Sequence, residues 1–337
     1  QKGVDGDYLS AANLDRSPES LSQMDMAAYL ECPKNASAFL CWNINPVASS
    51  PEQGRLMNAL KRNDLYTVVI DLFATDTADY ADYVLPAASF LEFDDLVSGY
   101  FNLSFSAQTK VMEPIGDSLP NQEIFRRLAV AMDLVDPELI ETDTEIIDRV
   151  LKDVGIEGGF KFLSSKGTVF PSTEPQLQFA ECCFPTPSGK IEIASSVAEA
   201  DGHPRLPQAS TDQRPERQRF RLLSPASEWL MNDSYANDSK IKKQLGVPSI
   251  TVNPHDAEEF GFKENSNVRV SNNTGNLDLT VRISDAVPRG VVMSVKGHWP
   301  RNNSLSRANV NVLNPGQKSD MGESSALELY AALQMIY

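Results

Sequence analysis

Histidine and cysteine are scarce in this 337-residue sequence: only His203, His255 and His298, and Cys32, Cys41, Cys182 and Cys183. No two cysteines stand in a C-x-x-C spacing, so neither a zinc cage nor a disulfide framework can be assembled from motif spacing. The cysteines read as core or free thiols, and adjacent Cys182 and Cys183 would point to opposite faces of a strand. Glycine is present, but no G-x-G-x-x-G or P-loop occurs, which removes the usual support for nicotinamide dinucleotides and ATP. No apolar run approaches the roughly 18 residues that span a bilayer, so membrane insertion is not expected. Basic residues are also in deficit. With 30 Lys+Arg against 46 Asp+Glu the net charge is -16, which argues against nucleic acid as a partner.

The charge is uneven. Glu216 to Tyr337 holds 14 basic and 13 acidic residues, leaving 16 basic (30 less 14) and 33 acidic (46 less 13) before it. An anionic ligand would find its countercharge in the last third. The length predicts two domains, at roughly 150 residues each. We place them at residues 1–215 and 216–337, divided in Gln213 to Gln218. The chain starts at Gln1 with neither Met nor a signal-peptide pattern, and is expected to be a piece of a longer protein.

In the first part, residues 37–44 and 67–73 are apolar runs around a helical stretch at 51–62. This is a βαβ unit with parallel strands. A short helix at Thr75 to Tyr80 and a strand at Asp82 to Pro86 follow, so the expected fold is α/β with a doubly wound parallel sheet. Helical periodicity from Asn121 and again through Ile146 to Val154 predicts two covering helices. The segment Phe184 to Ile193, FPTPSGKIEI, reads as a turn and a strand. After residue 216 the period becomes two, in strands at 220–223, 249–252, 268–270, 277–283 and 291–295. One helix, capped by Asn253 and Pro254 and ended by Gly261, interrupts them. The second domain is therefore expected to be a compact β-barrel. The tail, Ala326 to Ile336, is helix-like by composition.

Ligands of open parallel sheets bind beyond the carboxyl ends of the strands, where this sequence places Asn43 and Asn45, then Asp71 and Thr75. A carboxylate there accepts two hydrogen bonds from a guanine edge or a ribose. The plainer alternative is that Asn45-Pro46 makes a turn and Asp71 caps a helix. In the barrel, the loop Gly297 to Asn303 offers Trp299 as a stacking face, with Arg301 and Arg307 as charge for a pyrophosphate. A packed loop core is the alternative. The acidic groups Glu92-Asp94-Asp95 and Asp76-Asp79-Asp82 read as solvated faces.

Several segments, in order, resemble the molybdopterin oxidoreductases, the group containing formate dehydrogenases, nitrate reductases and dimethyl sulfoxide reductase. They are WNINP at 42–46, VVIDLFATDTADYADYVLPA at 68–87, TPSGKIE at 186–192, NPHDA at 253–257, VPRGVV at 287–292 and NVNVL at 309–313. The resemblance implies a bis(molybdopterin guanine dinucleotide) cofactor carrying molybdenum or tungsten, and a double-psi type barrel closed by a strand, in contrast to the tail's composition. By resemblance Asn43, Asn45, Asp71, Thr75, Thr77 and Asp82 would contact one guanosine arm. Ser224, Asn232, Ser234, His298, Trp299 and Asn311 would line the other arm and the pterins. The family's 4Fe-4S cysteines and metal ligand would precede Gln1. The resemblance thus implies a carboxyl-terminal portion, inactive alone, whose partners are the missing amino-terminal region, a small-molecule redox substrate and an electron-transfer subunit. A cytoplasmic location is expected, with folded export as the alternative. Two rival functions stand beside this one: a cofactor-free scaffold of the same fold, and a small-molecule binding protein.

Overall fold

A computed structural model describes residues 21–100, 102–134, 136–172, 174, 177, 179–208, 219–318 and 329–336. They fall into two compact units, residues 85–208, and residues 21–84 together with 219–336. The expected boundary at Gln213 to Gln218 lies outside the described residues.

The strands are β1 (Ala38–Trp42), β2 (Tyr66–Asp71), β3 (Tyr83–Pro86), β4 (Asp95–Ser98), β5 (Phe105–Gln108), β6 (Thr168–Val169), β7 (Arg219–Leu223), β8 (Ser249–Val252), β9 (Asn267–Ser271), β10 (Asn276–Ile283), β11 (Val291–Met293) and β12 (Leu329–Met335). β1 and β2 pair in parallel from Ala38↔Tyr66 to Trp42↔Ile70. The helices Pro46–Ser49 and Gln53–Ala59 form the crossover between them. Their apolar side packs Val47, Leu56, Ala59 and Leu60 with Leu65 and with Ala27 and Leu30 of the helix Met26–Glu31. The sheet order is β1-β2-β3, so the described strands run in sequence, without the reversal that defines a doubly wound sheet.

The two amphipathic helices form at Asn121–Ala131 and Asp143–Asp153. The second is started by a capping box of Thr142 and Glu145. Its Ile147 and Leu151 pack with Phe105, Ile156 and Leu163, so it covers the antiparallel sheet β4-β5-β6. FPTPSGKIEI makes the expected turn but no strand; Ile191 and Ile193 stay exposed, with no neighbouring strand to pair with among the described residues. Cys182 and Cys183 likewise lie in no strand, and Cys182 has a left-handed backbone (φ 51°). Nor are the acidic groups all solvated faces. Glu92 is buried and accepts the amides of Ser89 and Ile115, and Asp76 is buried as well.

The remaining six strands close a barrel in the order β10-β8-β11-β7-β12-β9. Every strand then has two partners and no edge is left to aggregate. The core is filled by alternate residues of each strand, among them Phe220, Leu222, Ile250, Val252, Val268, Val270, Leu277, Leu279 and Val281. The helix-like composition of the tail is overridden here. β12 pairs antiparallel with β7 through Leu329–Ala332 and with β9 through Ala332–Met335, so it supplies ladder partners to two strand edges that a helix there would leave open. Ala331 of β12 is buried in that core, whereas Gln334 is exposed. Ala331→Asp should therefore lower unfolding stability by at least about 3 kcal/mol, and Gln334→Asp by no more than about 0.5 kcal/mol, read from urea unfolding. Equal effects would contradict the closure by β12.

Candidate functional site

The site is built where β1 and β2 run out toward the barrel loops, all within the second unit. Asn43 continues the β1 ladder by donating its amide to Ile70 O (2.9 Å) and then turns with φ 50°, a conformation disfavoured outside glycine. Asn45 is buried. Its Oδ1 accepts Thr77 Oγ1 (2.8 Å) and Thr77 N (3.2 Å), while Thr77 Oγ1 accepts Val47 N (3.1 Å). Asp71 ends β2 half-buried, with Oδ1 accepting Phe73 N (3.1 Å). Burial raises its carboxyl above the ordinary range, against the hydrogen bonds from Phe73 and Leu72. Among the described residues it makes no ion pair with Lys or Arg.

On the barrel side, the parallel pair β7 and β11 extends past its last ladder residues: Ser294 N donates to Leu223 O and Lys296 N to Pro225 O, with Ser224 between them. Gly297 (φ 99°) then lets the chain press against the 230–235 loop; a Cβ there would lie 2.1 Å from Asn232 O. Asn232 itself has φ 56°, and Met231 and Ser234 bridge the same turn. Trp299 Nε1 donates to Asp233 O (2.9 Å), and its ring packs with Ala48, Leu230 and Ala236. The open stacking face expected of Trp299 is thus absent, because its ring is loop core, only 5% exposed.

Arg301 is also not free for a pyrophosphate. Its amide and Nε donate to Asp76 Oδ1 (2.9 and 3.2 Å), and its guanidinium donates to Thr75 O and pairs with Asp79. Asp76 and Asp79, expected to be solvated, are thereby consumed by the barrel. Arg307 remains exposed. Thr75 is buried, its Oγ1 accepting Ala78 N. Asp82 stands apart from the tips: its carboxylate accepts Thr67 N (2.7 Å) near the amino end of β2, four residues and about 13 Å of strand from Asp71.

Sequence reasoning missed the side chains that join the two halves. Gln53, fully buried, donates Nε2 to Asn309 Oδ1 (2.9 Å) and to Val47 O (2.7 Å), and its Oε1 accepts Asn309 N (3.1 Å). Asn309 donates to Ala48 O (2.8 Å) and His298 O (2.7 Å), and Asn311 also donates to Ala48 O (2.8 Å). Asp233, the other omission, lies between the halves. Burial raises its carboxyl and the charges of Asp71 and Asp76 push the same way, while a hydrogen bond with Asn45 opposes them. Asn309 lay inside the NVNVL motif, but nothing local marks Gln53, 256 positions away.

Three outcomes follow from this geometry. Gln53→Leu should cost about 1–3 kcal/mol for each polar group it orphans, and the double change with Asn309→Leu should cost less than the sum of the singles in urea unfolding. Strict additivity would deny the coupling. Gly297→Ala should destabilise the fold, since both its φ and the Asn232 carbonyl oppose a Cβ; unchanged thermal unfolding would contradict the close approach. Burial holds the His298 imidazole below its ordinary value of about 6.5. The unfolded chain then binds that proton more readily, so stability is fully present above this value and falls as pH drops through the window below it. His298→Asn should flatten the acid limb of stability against pH; an unaltered limb would refute the assignment.

A family model described as Molybdopterin oxidoreductase matches residues 11–131, and one described as Molydopterin dinucleotide binding domain matches residues 220–328. The chain is 33% identical to the probable oxidoreductase YoaE of Bacillus subtilis over 91% of its own length and 45% of that protein's. It is 26% identical to the dimethyl sulfoxide/trimethylamine N-oxide reductase of Cereibacter sphaeroides, over 76% of this chain and 35% of that protein. Its fold is shared with acetylene hydratase from Pelobacter acetylenicus, with a TM-score of 0.78 at 20% identity, over 94% of this chain and 46% of that one. The chain thus spans less than half the length of these relatives. The two family matches, in chain order on the sheet-bearing and barrel-bearing segments, together with these relatives, make the chain a member of the molybdopterin oxidoreductases of the dimethyl sulfoxide reductase family.

Proposed function

We propose that this chain cradles the guanosine arms of a bis(molybdopterin guanine dinucleotide) within a longer molybdopterin-dependent oxidoreductase. The observation that carries this reading is Asp71: a half-buried carboxylate at a parallel-strand tip, raised by burial and without an ion-pair partner among the described residues, suits the paired N–H donors of a guanine edge. The rim supports it. Asn43, just past the β1 tip, and Asn232, in the loop against Gly297, hold left-handed backbone, a conformation that asparagine tolerates better than most non-glycine residues. Asn43, Ser224, Asn232, Ser234 and the exposed Arg307 supply donors toward phosphates and hydroxyls. His298 lines the pterin side in neutral form. Asn45, Thr75, Thr77, Trp299 and Asn311 act by fixing the loops that carry these groups, and Asp82 by anchoring β3 to β2.

When bound, the cofactor supplies the redox chemistry through its molybdenum or tungsten; the chain's part is to bind, orient and set the local charge. On this reading the metal's protein ligand and a 4Fe-4S cluster belong to the rest of the enzyme, which also meets a small-molecule substrate and an electron-transfer partner. The three described strands belong to a larger doubly wound sheet, and the barrel is of the double-psi type. The relatives' names include a sulfoxide reductase and a hydratase, so no one substrate is carried over.

Asp71→Ala in the full-length enzyme should lower retained molybdenum and bound guanine nucleotide. Losing charge-assisted hydrogen bonds of about 1.5–3 kcal/mol each predicts at least tenfold weaker retention, with thermal stability of the apo form little changed. Full metal occupancy in the variant would count against the proposal.

A further inference from the structure

Outside this site, the first unit holds a feature the proposed function does not use. Cys182 and Cys183 are adjacent, exposed and free. They lie in a turn that an extended strand's alternation does not govern: Cys182 has φ 51°, and its amide donates to Phe179 O (2.8 Å). The turn is bracketed by Phe179 and Phe184, whose rings stack with centroids 4.9 Å apart. The aromatic clasp keeps the two thiols on one short exposed loop. The other two cysteines differ: Cys41 is buried, with its thiol pushed up to about 12 by burial and by Asp71, and Cys32 is half-buried.

We propose that Cys182 and Cys183 form a modification site for peroxides, closing to a vicinal disulfide. One thiolate attacks the peroxide oxygen, breaking the O–O bond to give a sulfenic acid and releasing the first water. The neighbouring thiol then attacks that sulfur, forming the S–S bond and expelling the second water. Hydrogen peroxide is reduced by two electrons to two waters, and each cysteine loses one hydrogen. Adjacent Cα atoms stand about 3.8 Å apart, short of the roughly 4.4–6.8 Å usual for disulfides, so the product is strained. Strained, exposed disulfides have the more oxidising potentials, so a dithiol reductant reopens this one readily. Cys41, buried and held as the thiol, is the built-in control.

The test treats the whole chain with hydrogen peroxide, alkylates it, digests it with trypsin and weighs the peptide spanning residues 167–190, which carries both cysteines and no other. The expected result is loss of two hydrogens, loss of both alkylations, and recovery of both after dithiothreitol. Cys183→Ser should instead leave Cys182 as a sulfenic acid trapped by dimedone. Oxygen adducts without a disulfide, pairing with Cys32, or the same loss of two hydrogens in Cys183→Ser would each overturn the proposal. None of these outcomes touches cofactor retention, so the site stands or falls apart from the function proposed above.

Discussion

The reciprocal pair of Gln53 and Asn309 holds the parallel sheet's crossover to the barrel, and the geometry of the site depends on it. Both amides are buried, so each would cost heavily if left without partners. Together they satisfy one another, the carbonyls of Val47, Ala48 and His298, and the amide of Asn309. Such a network has one arrangement in which every group is paired, so it fixes where the strand tips stand relative to the barrel loops. Asp76 with Arg301 adds a second tie, charge-assisted and anchored also on the carbonyl of Thr75. Apolar contact between the halves would favour association without setting its register.

The same ties determine which polar groups are left for a ligand. Asn45, Thr77, Asn309 and Asn311 have their hydrogen bonds within the protein and serve as frame. Among the described residues neither Asp71 nor Asp233 gains a cation: Arg301 is spent on Asp76 and Asp79, and burial raises both carboxyls. A strand-tip carboxylate without a described cation partner suits a donor-rich edge. The barrel's near balance of charge, against the acidic excess before it, keeps an anionic group from being repelled on that side.

Much of this was legible in the chain's own pattern. Period-two runs mark five of the barrel strands, because a pleated surface buried on one face imposes that alternation, and the apolar runs around 37–44 and 67–73 mark β1 and β2. What failed had a common cause. The tail's Ala, Leu and Met favour a helix locally, yet the vacant seam between β7 and β9 made a strand of it. Trp299 and Arg301 have the residue types of ligand groups, but their partners, Asp233, Asp76 and Ala48, come from distant segments. Gln53 was invisible for the same reason: an isolated glutamine on a helix carries no local sign of a partner far along the sequence.

The proposed cradle is tested most directly by a crystal structure of the full-length protein with bis(molybdopterin guanine dinucleotide) bound. It should show a guanine edge within hydrogen-bonding distance of the Asp71 carboxylate while Gln53 and Asn309 keep their reciprocal pair. A nucleotide arm seated elsewhere, with Asp71 facing only solvent or protein, would contradict it.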